Sequence, residues 1–192
     1  SVRFNINGVF YSRLTNDYGV ARLNINLNPG EYILTAENPV TGELRSNLIT
    51  VLPSIVENHD LNMYYKNGSR YSVMLLDSAG KAVSGAKVTF NINGVFYTRI
   101  SDEYGYAYLN INLNPGNYII TAEYNGFMVS NNIVVKPILF TNDLGIRYGS
   151  KSSFEATLVD GQGRYYPNQT VTFNINGVFY EKSPQPMPAE ID

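Results

Sequence analysis

Few residues in this chain are of the kinds that run reactions. His59 is the single histidine and there is no cysteine, so thiolate nucleophiles, disulfide frameworks and metal centres built on thiolates or several imidazoles are excluded together. Carboxylate chemistry is what remains. Asp17 and Glu37, or Asp102, Glu103 and Glu123, would have to face one cleft with separated pKa values to act as general acid and base. Turn chemistry competes for the same residues, because Asp17 and Asp102 stand just before Tyr-Gly pairs, a setting in which aspartate bonds local backbone. Asp77 and Asp160, each followed three residues later by glycine, lack the dense oxygen spacing of a calcium loop and also read as turns. The chain carries no Gly-rich phosphate loop, Gly-x-Ser-x-Gly elbow or His-Glu-x-x-His element. The expectation is a protein that is not an enzyme, with no catalytic residue, cofactor or metal.

Composition narrows the class further. Fourteen Lys+Arg against sixteen Asp+Glu lack the basic excess of a nucleic-acid binder. A hydrophobic share of 44% over 192 residues suffices to bury cores, which excludes a wholly disordered tail. No apolar run reaches the 18 residues of a membrane span, and the start at Ser1 reads as lacking a signal peptide.

Any functional side chain must be positioned by a repeat. The octapeptide Phe-Asn-Ile-Asn-Gly-Val-Phe-Tyr begins at Phe4, Phe90 and Phe173, at spacings of 86 and 83 residues. Leu23 to Gly30 is identical to Leu109 to Gly116, and Asp77, Gly80 and Val88-Thr89-Phe90 recur as Asp160, Gly163 and Val171-Thr172-Phe173. A tandem array with a period of about 85 residues follows. Val88, Phe90 and Ile92 alternate with polar neighbours, as do Leu109, Ile111 and Leu113, the signature of half-buried strands. Asn-Gly pairs at Gly8, Gly94 and Gly177 mark two-residue hairpins whose turn positions both need positive φ. Strands are expected at about 60–65, 70–77, 87–92, 95–101, 107–113, 117–123 and 130–135. Seven short strands so spaced predict an all-β fold, an immunoglobulin-like (fibronectin-III-like) β-sandwich in tandem.

Leu113-Asn114-Pro115-Gly116-Asn117-Tyr118, repeated as Leu27 to Tyr32 with Pro29, has the Leu-x-Pro-Gly-x-Tyr form of a corner. There the tyrosine hydroxyl bonds upstream backbone while the ring packs inside. Tyr32, Tyr118, Pro29, Pro115, Gly8, Gly94 and Gly177 are therefore the expected structural residues. Asn91, Asn93, Asn110 and Asn112 fall on outward positions, where a solvated face or a contact face for sugars or proteins is expected. Lys81 and Lys87 are candidates for an intramolecular isopeptide bond, but the aligned copy has Arg164 and Thr170, which argues against a bond common to all units. Asn67-Gly68-Ser69 and Asn168-Gln169-Thr170 fit the N-glycosylation pattern.

The repeat divides the chain into the later part of one unit (1–52), a complete unit (53–136), the earlier part of another (137–180) and a Pro-rich tail or linker (181–192). Neither flanking part closes a sandwich alone, and each leaves strand edges open to association. The strand at 173–180, with Phe173, Ile175, Val178 and Tyr180, is the candidate for pairing between chains.

The run Val88 to Gly94, Tyr97, the Asp102 to Gly105 turn, Leu109 to Ile111 and Leu113 to Tyr118 together resemble the Ig-like repeats of large adhesin-like surface proteins of methanogenic archaea. That resemblance covers nearly everything outside 181–192. It implies secretion, a cell-surface or cell-envelope location, and attachment or a stalk as the role, with a surface protein or glycan of another cell as partner; it supplies no catalytic residue. Two other readings stay open: a filament subunit that self-associates head to tail by completing a split domain, and a carbohydrate-binding accessory module of a secreted enzyme.

Overall fold

In a computed structural model, residues 1–182 are described, and every regular element among them is a strand. The stretch 183–192, most of the expected Pro-rich segment, lies outside the described residues; Glu181 and Lys182 continue a strand. From the N-terminus, β1 (Val2–Ile6), β2 (Val9–Arg13), β3 (Gly30–Glu37) and β4 (Leu44–Val51) form one antiparallel sheet in the order β2-β1-β3-β4.

The central segment builds two sheets. β5 (Ile55–Val56), β7 (Arg70–Leu75) and β10 (Tyr106–Asn110) pair in the order β10-β7-β5. β6 (Leu61–Tyr64), β8 (Lys87–Ile92), β9 (Val95–Ile100), β11 (Gly116–Tyr124) and β12 (Phe127–Lys136) pair in the order β6-β12-β11-β8-β9, with β6 running parallel to β12. The seven expected strands are present and an eighth, β5, joins them. Two residues are too short to show a period. The expected strand at 70–77 stops at Leu75, because the Asp77 turn follows, and the one at 107–113 stops at Asn110, so Ile111 and Leu113 lie beyond it.

Alternation buries one face of each strand. Tyr71, Val73 and Leu75 of β7 and Ala107 and Leu109 of β10 meet Val88, Phe90 and Ile92 of β8, Ile120 and Ala122 of β11, and Ile133 and Val135 of β12 in one core. Tyr71 meets Phe90 edge-on at 5.8 Å and 88°, an arrangement that aligns ring edge with ring face. Two sheets closed over a shared apolar layer make this segment an immunoglobulin-like β-sandwich.

Beyond it, β13 (Leu139–Thr141) pairs with β14 (Ala156–Leu158), and β15 (Val171–Ile175) with β16 (Val178–Lys182). The hairpins β1–β2, β8–β9 and β15–β16 keep one register: Ile6↔Val9, Ile92↔Val95 and Ile175↔Val178. What differs is the surroundings. β8 is paired on its other side with β11 and β1 with β3, while β15 has no second neighbour among the described residues.

Candidate functional site

The hairpin turns are built by three residues of the octapeptide. Asn7, Asn93 and Asn176 have φ of 50–51°, and Gly8, Gly94 and Gly177 follow at 80°, 78° and 89°, the two left-handed positions of a type I′ turn. The asparagine two residues before each pair closes it: Asn5, Asn91 and Asn174 each accept the glycine N–H at 3.0 Å through Oδ1. Asn91 therefore holds a turn, although alternation alone had placed it on an open face. Its recurrence three residues before every such glycine was the available signal.

The corner residues lie as follows. The Tyr118 hydroxyl donates to the Asn114 carbonyl and that of Tyr32 to the Asn28 carbonyl, both at 2.8 Å. Tyr118 is half-buried against the core. Pro115 and Pro29 lead into Gly116 and Gly30, whose φ of 156° and 155° leaves space for the phenol. A Cβ at Gly116 would stand 3.3 Å from the Tyr118 hydroxyl.

The carboxylates serve backbone. Asp102 accepts the N–H groups of Tyr104 and Tyr106 at 3.0 and 2.9 Å, Asp77 those of Ala79 and Lys81, and Asp160 those of Gln162 and Arg164. In the first repeat this task falls to Asn16, which accepts from Tyr18 and Val20; Asp17, the residue expected there, stands one position too late to close the turn. Glu37 is paired with Arg3. Among the described residues no three His, Asp or Glu side chains gather as a metal site. Lys81 and Lys87 are exposed, so neither stands beside a buried acid.

A second polar cluster was not anticipated. Asp60, exposed at the start of β6, accepts the Asn132 N–H at 2.8 Å, the Asn132 carboxamide at 3.2 Å and the Asn131 carboxamide at 3.3 Å. These donors, the Asn132 backbone first, hold its carboxyl below the ordinary value. Asn131 Oδ1 accepts from the Tyr71 hydroxyl at 2.7 Å and from Asn58 at 3.0 Å. Burial, then the Asp60 charge, raises the Tyr71 pKa. The cluster ties β6 to β12 and β12 to the facing sheet. Partners 60 to 73 positions apart in the chain leave no local pattern to read.

On the outward face of β10, Tyr106 and Tyr108 lie with rings parallel to within 18° at 6.0 Å, and Arg70 covers Tyr108 at 3.9 Å. The first repeat has Val20 and Arg22 at these positions, so the aromatic pair belongs to the central unit and not to the repeat pattern. Asn168 is exposed at φ 61°. Asn67, the other glycosylation candidate, is half-buried and donates its carboxamide N–H to the Gly161 carbonyl at 3.2 Å.

The flanking segments leave open several positions whose counterparts the central one buries, although Ile6 stays buried as Ile92 does. Residues 20–24 repeat those of β10, yet form no strand, because the neighbour that pairs β10 is β7 and 1–52 contains no counterpart of it. Ile111 is 4% exposed and its repeat Ile25 is 41%. Ile92 is 5% exposed and Ile175 is 62%. Phe173 meets Phe154 edge-on at 6.0 Å, while Val178 and Tyr180 are exposed. An open groove of about 990 Å³ runs between β13, β14 and β15, lined by Leu139, Leu144, Phe154, Phe173 and Ile175.

No family model matches the chain, and no curated protein matches it. Solved structures with a similar arrangement include the surface-layer protein SbsC, domains 1–6, at 13% identity and TM-score 0.35, covering 95% of this chain and 28% of that one. A Bacteroides ovatus glucan-utilisation protein in complex with a mixed-linkage heptasaccharide follows at 11% and 0.33, covering 77% and 41%. A calcium-stabilised adhesin with which an Antarctic bacterium binds ice stands at 16% and 0.24, covering 95% and 53%. The chain thus spans less than two thirds of each of these structures. At TM-scores below 0.5 the likenesses carry no weight for what this chain does.

Proposed function

We propose that this chain is a structural and adhesive part of an extracellular surface protein, in which immunoglobulin-like units of about 85 residues follow one another as a stalk or adhesin. The observation that carries the reading is the thrice-built hairpin: one turn, one closing asparagine and one register recur at β1–β2, β8–β9 and β15–β16 around a sandwich filled by its own side chains. Units that each close a core and connect through short linkers give length without needing further chemistry. The Tyr106–Tyr108 face is the contact surface of this reading, since tyrosine presents apolar area with a polar tip. Antibodies raised against the chain should label intact, unpermeabilised cells of the source organism. Labelling only after permeabilisation overturns the surface location.

A second reading, head-to-tail completion of a split unit by another copy, is favoured by the match of apolar residues. Ala21, Leu23 and Ile25 repeat Ala107, Leu109 and Ile111, and Ile49 and Val51 repeat Ile133 and Val135. The groove at β13–β15 lies on the segment that lacks those strands. Completion would place the β15–β16 hairpin of one copy where β1–β2 of the next now pairs with β3. Sedimentation velocity over a hundredfold range of concentration should show growth into open-ended oligomers; a monomer across that range removes this reading.

A further inference from the structure

The turn from Asp160 to Arg164 sits against the central sandwich, and two glycines make the contact possible. A Cβ at Gly163, a position whose left-handed φ of 81° already favours glycine, would overlap the phenol end of Tyr64, and the ring would have to move away from the turn. A Cβ at Gly161 would lie 2.9 Å from the Cβ of Asn67. Asn67 bridges the same gap with its hydrogen bond to the Gly161 carbonyl, while its Oδ1 accepts the Ser69 N–H at 3.0 Å, so both ends of its carboxamide are engaged. Tyr64 is the last residue of β6, beside Lys136 in the parallel ladder, with the Lys136 ammonium 5.5 Å from its ring.

The repeat provides its own control. The equivalent turn in the central unit runs from Asp77 to Lys81, with the same aspartate bonds, and has Ser78 where the later turn has Gly161. The turn itself therefore does not require glycine at that position, and Gly161 has no left-handed φ. Gly80, the counterpart of Gly163, has open space around it. What demands the bare backbone at 161 is the neighbour it meets. The connection between the two segments is just Pro137-Ile138 between β12 and β13, and proline fixes one of its backbone angles.

We propose that this turn is a fitted joint: seated on Tyr64 and Asn67, it locks the segment 137–182 in one orientation on the central sandwich. A stalk so jointed would behave as a stiff rod and not as beads on a string. The joint stands or falls independently of the surface location, because it concerns only how two segments of one chain are held.

The absence of cysteine allows a direct test. Thr98→Cys on β9 and Thr157→Cys on β14, both at exposed positions, take nitroxide labels, and double electron–electron resonance reads the distance distribution in the full chain. A single narrow distribution is expected in the labelled parent. Gly161→Val, which crowds Asn67, and Asn67→Asp, which keeps the acceptor for Ser69 but replaces the donor to Gly161, should each at least double its width without lowering the melting temperature of the central sandwich. A parent distribution already as broad as the variants', or variants that keep the parent width, overturns the joint.

Discussion

The single hydroxyl of Tyr118 illustrates how little chemistry this chain spends outside its backbone. Its hydrogen bond to the Asn114 carbonyl ties the approach to β11 back on itself while the ring covers the core edge. Tyr118→Phe keeps the ring and removes the bond, so it should lower stability by about 1 kcal/mol. A melting temperature equal to that of the parent would show that the corner contributes nothing. The Asp60 cluster yields two pH dependences of opposite direction. The Asp60 carboxyl titrates below its ordinary 3.8 in the folded chain, so on acidification the unfolded chain takes up the proton first. Its contribution is present above pH 3.8 and is lost as the pH falls through the depressed folded value. Asp60→Asn should flatten the acid limb of a stability-against-pH curve, and an unchanged limb would mean the carboxylate is bonded no better than in the unfolded chain. Tyr71, with its pKa raised above the ordinary 10.0, keeps its full contribution below pH 10.0. It loses that contribution on further alkalinisation, since the unfolded phenol ionises first. Tyr71→Phe should remove that alkaline component.

At the scale of elements, a repeated sequence keeps its local structure everywhere and its strand pairing only where a neighbour is present. The octapeptide forms its hairpin each time, because the Asn-Gly turn, the closing asparagine and cross-strand pairing are all local. Residues 20–24 and 106–110 are near repeats, yet the second is β10 and the first is irregular, because a strand exists only where a partner satisfies its N–H and C=O groups. Backbone amides at 106–110 should therefore exchange with solvent far more slowly than those at 20–24. Equal rates in dilute solution would mean that the segment 1–52 finds a partner for that edge unaided. Most of the central strands could be read from period-two alternation and turn residues. β5 could not, since two residues carry no period, and neither could the parallel pairing of β6 with β12, which depends on positions 72 apart in the chain.

Over the whole molecule, closure separates the central segment from its flanks. With both sheets present, Phe90 and Ile120 are fully buried; with one missing, the same residue types face an open groove. Burial of roughly 25 cal/mol for each Å² of apolar surface gives the flanks a reason to associate with matching strands, whether from a second copy or from the rest of a longer protein. Replacing Ile175, an exposed position inside the groove, with Asp should reduce any concentration-dependent association and leave the melting of the central sandwich unchanged. Association that survives Ile175→Asp would place the contact elsewhere.

The order of residues alone was enough to specify most of the central strands, where hairpins turn, that the architecture is all-β and immunoglobulin-like, and that thiol chemistry and metal centres of several imidazoles are excluded, because each follows from neighbours within a few positions or from composition. Long-range proximity decided the remainder. Asp60 as the partner of Asn131 and Asn132, the failure of 20–24 to become a strand, and the seating of Gly161 and Gly163 on Asn67 and Tyr64 all depend on which groups meet once the sheets are layered. Hydrogen bonds and close contacts are made between neighbours in space, and alternation along a strand records only which face a residue occupies.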